Sequence, residues 1–367
     1  MLHKLGNLVG GISTPEVNAM TTPYGLHGIY HSPNYLPLNF VRSIVNTIFT
    51  VHGQFLLRVP NVIFGVMSVI FYGGIVYLWH GRRTAIISTI LFACSAYLLH
   101  VSRVDSYDIM YFWGILCLLL MHALLYRYNK FKLVFVLNFF TWGLLLTIPG
   151  FIYFVAADIF IQRELIKEGY EHIKNVWVRG ISLLLLIIWL PLVIKNLFSV
   201  SKLKNYLGLP SHFASLSHTL KDFIAVPMHL FIRGPEYPYL WLGRLPILDI
   251  FTLALVLTGL FFYIQHYTSS RSKWLGVLFL ISFLLIGLNG AVSFSLIVPI
   301  AYVVASTGVA YLLHLWLKVF PSNPIARTLG IGLISLAVLI SCIYNLRSYY
   351  VAWKLNTTTI NTFSRRL

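Results

Sequence analysis

The chain has 367 residues, of which 58% are apolar and only 10% charged, with a mean hydropathy of +0.80. A water-soluble domain carries about 25% charged residues, so this sequence cannot cover a water-facing surface and a soluble enzyme is excluded. The net charge of +17 would suggest nucleic acid in a soluble protein. No basic run or soluble domain is present to carry such binding, and Lys and Arg instead flank apolar stretches, beside anionic lipid headgroups.

Residues 1–57 read as an outer loop followed by an interfacial helix. Up to Pro33 the chain is rich in Gly, Pro, His, Thr and Tyr, and Met1 to Met20 lacks the apolar core of a cleavable signal. Leu36, Phe40, Val41, Ile44, Val45, Ile48 and Phe49 then recur at helical spacing, with Asn39, Arg42, Ser43, Asn46, Thr47 and Thr50 on the other face. A helix so divided lies in the membrane interface.

Apolar spans are predicted over 61–79, 84–101, 108–126, 133–148, 150–162, 180–198, 245–265, 274–288, 292–313 and 329–346. The fold class is therefore all-α, a polytopic transmembrane bundle of about ten spans within residues 61–346. Several stretches fall short of a full span, which tilt accommodates. Pro149-Gly150 breaks one long apolar run into a helical hairpin. Residues 199–244 form a long outer loop, and the tail, 347–367, opens with an aromatic belt at Tyr349, Tyr350 and Trp353. Arg82, Arg83, Arg127, Lys130, Lys132, Arg163, Lys167, Arg271 and Lys273 mark loops on one face, which places that face in the cytoplasm. The expected location is the plasma membrane.

The acids are few. Glu164, Glu168 and Glu171 sit with Lys167 and Lys174 on an inner loop and read as solvated ion pairs. Asp158, near the inner end of a span, reads as a helix-packing or interfacial acid. Asp222, Glu236 and Asp249 read as surface groups of the long loop or its junction. The outer face holds Glu16 in the first loop and Arg103, Asp105 and Asp108 on a turn between spans. Charged rim residues are costly unless paired or functional; an Arg103–Asp105 clamp is one reading. The other is chemistry on a lipid-borne substrate, with an acid as general base and an Arg holding phosphate. Cys94, Cys117 and Cys342 lie in apolar stretches without metal-ligand spacing. The sequence identifies no cofactor; a divalent metal stays open, with no residue pattern that indicates one.

The ordered set His31-Ser-Pro-Asn-Tyr-Leu-Pro-Leu, Phe55-Leu-Leu-Arg58-Val-Pro60, Gly81-Arg82-Arg83 and Ser102-Arg103-Val-Asp105 resembles the N-terminal half of the polyprenyl-phosphate-sugar glycosyltransferases. These are GT-C membrane enzymes related to protein O-mannosyltransferases and the lipid A aminoarabinose transferase. The match covers roughly residues 5–127, and the later spans carry little motif. The resemblance implies inverting transfer of a sugar from a polyprenyl-phosphate donor to an acceptor at the outer face. It implies Glu16 as the general base, and Arg103, Asp105, Arg58 and His31 as substrate-binding residues. The group that stabilises the leaving phosphate stays open among Arg58, Arg103, Arg233 and Arg244. The implied partners are that donor and membrane lipids. The sequence departs from the family where Pro15 and Val17 flank a single loop acid, and where Ser32 and Asn34 interrupt the His-Pro-Pro pattern. The family also implies a membrane helix ahead of the first loop, which this sequence does not show. Three rivals stand beside this reading: a transporter or flippase, an oligosaccharide polymerase or ligase (kept by His212, His218, His229, Arg233 and Arg244 in the long loop), and a non-catalytic relative.

Overall fold

The computed structural model describes residues 1–9, 11–14, 16–17, 34–49, 53–128, 131–173, 175–187, 189, 194, 199–289 and 294–363. His31 lies outside them.

The architecture is helical, as the composition requires. Helix α1 (Leu36–Ile48) is followed by α2 (Gln54–His80), α3 (Arg82–Ala93), α4 (Ala96–Arg103) and α5 (Asp108–Tyr128). Then come α6 (Lys132–Leu145), α7 (Phe151–His172) and α8 (Val176–Ile187). Within residues 199–244 lie α9 (Val200–Tyr206), α10 (Leu216–Phe231) and a small antiparallel hairpin pairing Glu236 with Leu242 and Tyr237 with Trp241. The chain closes with α11 (Ile250–Gln265), α12 (Ser270–Asn289), α13 (Val298–Val319), α14 (Pro324–Arg347), a π-helical turn at Ser348–Trp353 and α15 (Thr357–Thr362).

Each of the ten predicted stretches overlaps a helix, but they are not equal spans. Among the described residues five, beginning at Gln54, Asp108, Ser270, Phe294 and Pro324, are long and apolar enough to cross a bilayer, and a sixth results if α3 and α4 act together across their 60° bend. Helices α6, α8 and α11 are apolar but have 14, 12 and 16 residues. At 1.5 Å per residue they reach about 18–24 Å, less than the roughly 30 Å hydrocarbon thickness. Helix α7 is long enough, but its C-terminal half carries exposed charges, including the Lys167–Glu171 pair. The predicted hairpin at Pro149-Gly150 is present: Gly150 adopts φ +81° ahead of α7, a conformation that favours glycine.

Helix packing uses small residues where backbones must approach. A Cβ at Gly308 of α13 would lie 2.1 Å from the Leu255 carbonyl oxygen, and one at Gly259 of α11 would lie 2.1 Å from that of Val304. The two helices therefore pack backbone to backbone, the contact that small residues permit in membranes. Helix α1 reverses the soluble pattern: Phe40, Ile44 and Ile48 are exposed while Arg42 is buried at 3% exposure. Leu36, Leu38 and Val45 are buried with that cation, so the apolar residues divide between the bundle and the outside.

Candidate active site

The N-terminal turns of α2 gather the charged residues. Arg58 is fully buried. Its Nε donates to Glu16 Oε1 at 2.7 Å and one terminal nitrogen to Glu16 Oε2 at 3.1 Å. The remaining donors reach the carbonyls of Leu5 and Gly11, each at 2.9 Å. Glu16 Oε2 also accepts from the Ser13 N–H at 2.8 Å and its hydroxyl at 3.0 Å, and Oε1 accepts from the Asp105 N–H at 3.3 Å. Both oxygens are therefore filled, and the guanidinium fork pins the first loop to α2. One helical turn on, Asn61 donates to the carbonyls of Val104 at 2.9 Å and Ser106 at 2.7 Å. This holds the turn that presents Asp105. A further turn on, Gly65 lets α4 approach, since a Cβ there would lie 2.4 Å from Ser102 Cβ. Arg58, Asn61 and Gly65 share one helix face.

Asp105 pairs with Arg42 of α1, not with Arg103. The clamp read from the Arg103-Val-Asp105 spacing is thus replaced by a contact across 63 residues. Asp105 is fully buried, and its Oδ2 has no hydrogen-bond partner among the described residues. Burial raises its carboxyl to about 6, with the Arg42 guanidinium opposing the shift. Arg42 also lies over the Tyr107 ring at 4.8 Å, and Tyr107 stacks on Tyr35 at 4.4 Å. Arg103 turns elsewhere. It donates to the His3 carbonyl and lies 5.1 and 5.3 Å from the Tyr349 and Tyr350 rings. Tyr349 and Trp353, predicted as an aromatic belt, are buried and pack edge-on against His100. Asp249, read as a surface group, caps α11 through Thr252 and accepts from Ser341 and Asn345.

Sequence reading missed Arg42 and Asn61 as site residues. Arg42 was visible as the single charge on an amphipathic helix, a position where a polar face turned inward needs a counter-ion. Asn61 carried no signal beyond its spacing from Arg58.

Three cavities surround Trp241 and Trp353 beside this network. One of about 120 Å³ is lined by Asp108, Tyr97, Tyr237, Tyr239, Trp241 and Phe294. A second, about 250 Å³, lies on another side of Trp241 and is lined by Arg244, His100 and Trp353. The third, about 170 Å³, is lined by Arg103, Lys4, Lys354 and Trp353. Of the four guanidiniums named for the phosphate role, Arg58 is filled by Glu16 and carbonyls, and Arg233 pairs with Glu236 and the Gly243 carbonyl. Arg244 is exposed and has no carboxylate within ion-pair distance among the described residues. Glu16 and Asp105 each face a guanidinium, so they do not offer the uncompensated negative charge that a divalent cation needs.

No protein-family model and no curated protein matches the sequence. Solved structures do match the fold. ArnT from Cupriavidus metallidurans bound to undecaprenyl phosphate superposes with a TM-score of 0.58 at 12% identity, over 98% of this chain and 74% of that one. The Archaeoglobus fulgidus oligosaccharyltransferase in the apo form gives 0.54 at 14% identity, over 96% and 54%. The archaeal oligosaccharyltransferase AglB from the same organism, in complex with an inhibitory peptide and a dolichol-phosphate, gives 0.51 at 14%, over 93% and 52%. The chain thus spans about half the length of the archaeal proteins and about three-quarters of ArnT. The protein is a multi-pass membrane protein with the GT-C fold that ArnT and the archaeal oligosaccharyltransferase share.

Proposed function

We propose that the protein transfers a sugar from a polyprenyl-phosphate donor to an acceptor at the outer face of the plasma membrane, with inversion. The carrying observation is the aromatic cavity that includes Asp108, set three residues from the Arg42–Asp105 pair. Aromatic rings offer the apolar faces on which sugars stack, and a carboxylate among them can accept the proton of an attacking hydroxyl or amide. Support also comes from the fold neighbours, solved with undecaprenyl phosphate and with a dolichol-phosphate.

The roles follow from where the acids stand. Glu16, the base implied by resemblance, has both oxygens filled by Arg58, Ser13 and the Asp105 amide, and it holds the loop. Asp108 lines the aromatic cavity from the first turn of α5. On that position we assign proton acceptance to Asp108. Arg244, with His100 beside it across Trp241, holds the phosphate whose charge grows as the sugar leaves. No step requires a metal-bound intermediate.

The test is sugar transfer by membranes carrying the chain, supplied with labelled polyprenyl-phosphate sugars. Asp108→Asn is expected to lower the rate at least a hundredfold with little change in donor binding, within the usual contribution of a general base of roughly 10²–10⁴. Arg244→Gln is expected to act on donor binding and rate together. Transfer untouched by Asp108→Asn but abolished by Glu16→Gln in a folded protein would return the base to Glu16. Absence of transfer from every donor would favour the transporter or non-catalytic alternatives.

A further inference from the structure

At the opposite end of the bundle, the ends of α2, α5 and α11 and the start of α12 enclose a cavity of about 400 Å³. Three imidazoles, His80, His122 and His266, and the Arg271 guanidinium reach it, and among the described residues no carboxylate lines it. We propose that this cavity binds a phosphate-ester group, carried either by a lipid headgroup or by a free phosphate.

Three independent features make the cavity attractive to an anion. The first is Arg271, half-buried and placed 5.3 Å over the Trp79 ring. No carboxylate lies within ion-pair distance of it among the described residues. One terminal nitrogen donates to the Trp79 carbonyl at 3.5 Å, and the aromatic face orients the guanidinium without neutralising it, so its charge and its remaining N–H groups can meet phosphate oxygens. The second is the N-terminus of α12, a helix of 20 residues whose first residue, Ser270, lines the cavity with Ser269. The Ser269 hydroxyl caps the Ser272 N–H at 3.2 Å, and the helix end as a whole carries the positive dipole that attracts anions.

The third is His122, only 4% exposed yet lining the cavity. Its Nδ1 lies 3.1 Å from Asp158 Oδ1 and 2.6 Å from the Gln162 amide. Asp158 is fully buried and also accepts from the Trp142 indole at 2.8 Å. Trp274 stacks flat on the imidazole at 5.2 Å. The ring is therefore fixed on one edge and one face, and Nε2, on its other edge, has no hydrogen-bond partner among the described residues. This accounts for Asp158, which the sequence left as a packing or interfacial acid: it positions an imidazole. A phosphate oxygen can accept from that nitrogen, and a hydrogen-carrying phosphate monoester can donate to it.

Neutral and cationic ligands fit less well. A cation would meet Arg271 and the helix N-terminus. A wholly apolar ligand would leave His122 and the Tyr263 hydroxyl, which bonds Thr307 at 2.8 Å, beside an apolar surface. The surrounding Trp79, Tyr126 and Phe262 suit the glycerol or alkyl part of a phosphate ester. This site is separate from the outer end and holds whether or not sugar transfer occurs there.

The test uses the full chain in detergent. The probes are inorganic phosphate, dihexanoyl phosphatidic acid and dihexanoyl phosphatidylcholine, each titrated by calorimetry below micelle-forming concentration. Saturable binding of phosphatidic acid is expected, at least tenfold tighter than phosphatidylcholine. Arg271→Gln is expected to weaken it at least tenfold and His266→Ala severalfold, while Lys273→Gln, which removes an exposed charge outside the cavity, leaves it within twofold. Inorganic phosphate binding as tightly as the lipid would assign the site to a free phosphate; much weaker binding would assign it to the headgroup. Either result supports the proposal. Equal loss from Lys273→Gln and Arg271→Gln would reduce the effect to surface charge and overturn it, as would no saturable binding of either phosphate probe. Thermal unfolding checks each variant; if Arg271→Gln fails to fold, unchanged binding by His266→Ala overturns the proposal alone.

Discussion

Replacing Glu16 with Gln tests the network that organises the outer end. The substitution keeps shape and removes one charge. Each carboxylate oxygen now accepts from at least two donors: Arg58 Nε and the Asp105 N–H at one, Arg58 and both Ser13 donors at the other. A glutamine amide must put its NH₂ at one of these positions, where donor meets donors. Arg58, fully buried, keeps one glutamine oxygen and the Leu5 and Gly11 carbonyls as acceptors but loses its counter-charge. Breaking a buried ion pair by removing one partner costs about 3–5 kcal/mol. At roughly 1.4 kcal/mol per decade, that raises local opening of the first loop by about two to three and a half decades. Hydrogen exchange of residues 5–17, measured by mass spectrometry on the detergent-solubilised chain, reads this opening directly, since the Ser13 amide is bonded to the removed charge. Glu16→Gln is expected to lose most protection there while the α13 core is unchanged. Arg58→Gln should lose a similar amount, and the double variant far less than the sum, because removing the second partner also removes the stranded charge. Wild-type protection in Glu16→Gln, or additive losses in the double variant, would refute the clamp.

Two further outcomes follow from the packing. The Asp105 carboxyl is raised to about 6 by burial, so the native state binds its proton more tightly than the unfolded chain does. The stability contributed by that proton is fully present below about pH 4 and is lost as pH rises through about 6. The thermal midpoint of Asp105→Asn minus that of the native chain is therefore expected to increase between pH 4 and pH 7; a flat difference would show that Asp105 does not carry the shift. Gly308→Ala places a methyl against the Leu255 carbonyl oxygen, a backbone atom that no rotamer change can move. A loss of about 1–3 kcal/mol is expected from such overpacking, read as a lowered midpoint, whereas Gly332→Ala, with nothing within 4 Å, should be neutral.

Much of the bundle was legible because hydropathy acts locally: each run of apolar residues announces its own helix, and the Pro149-Gly150 break announced its own hairpin. The number of true spans was less legible, since α6, α8 and α11 are apolar but short, and α3 and α4 bend by 60° at a junction without proline. Among the acids, the exposed Arg163–Glu164 and Lys167–Glu171 pairs match their reading as solvated. Asp249 and Asp158 do not reveal themselves locally, because their partners Asn345 and His122 stand 96 and 36 residues away.

The sequence by itself determined that this chain is a polytopic helical membrane protein, and its ordered motifs pointed to the GT-C fold that the solved structures share. Only the tertiary structure decided which charges meet. Composition fixes that buried ions must be paired, but pairing is a matter of through-space distance. Asp105 takes Arg42 from a helix 63 residues earlier rather than Arg103 two residues before, because the turn after α4 directs the carboxylate toward α1 and the arginine toward Tyr349.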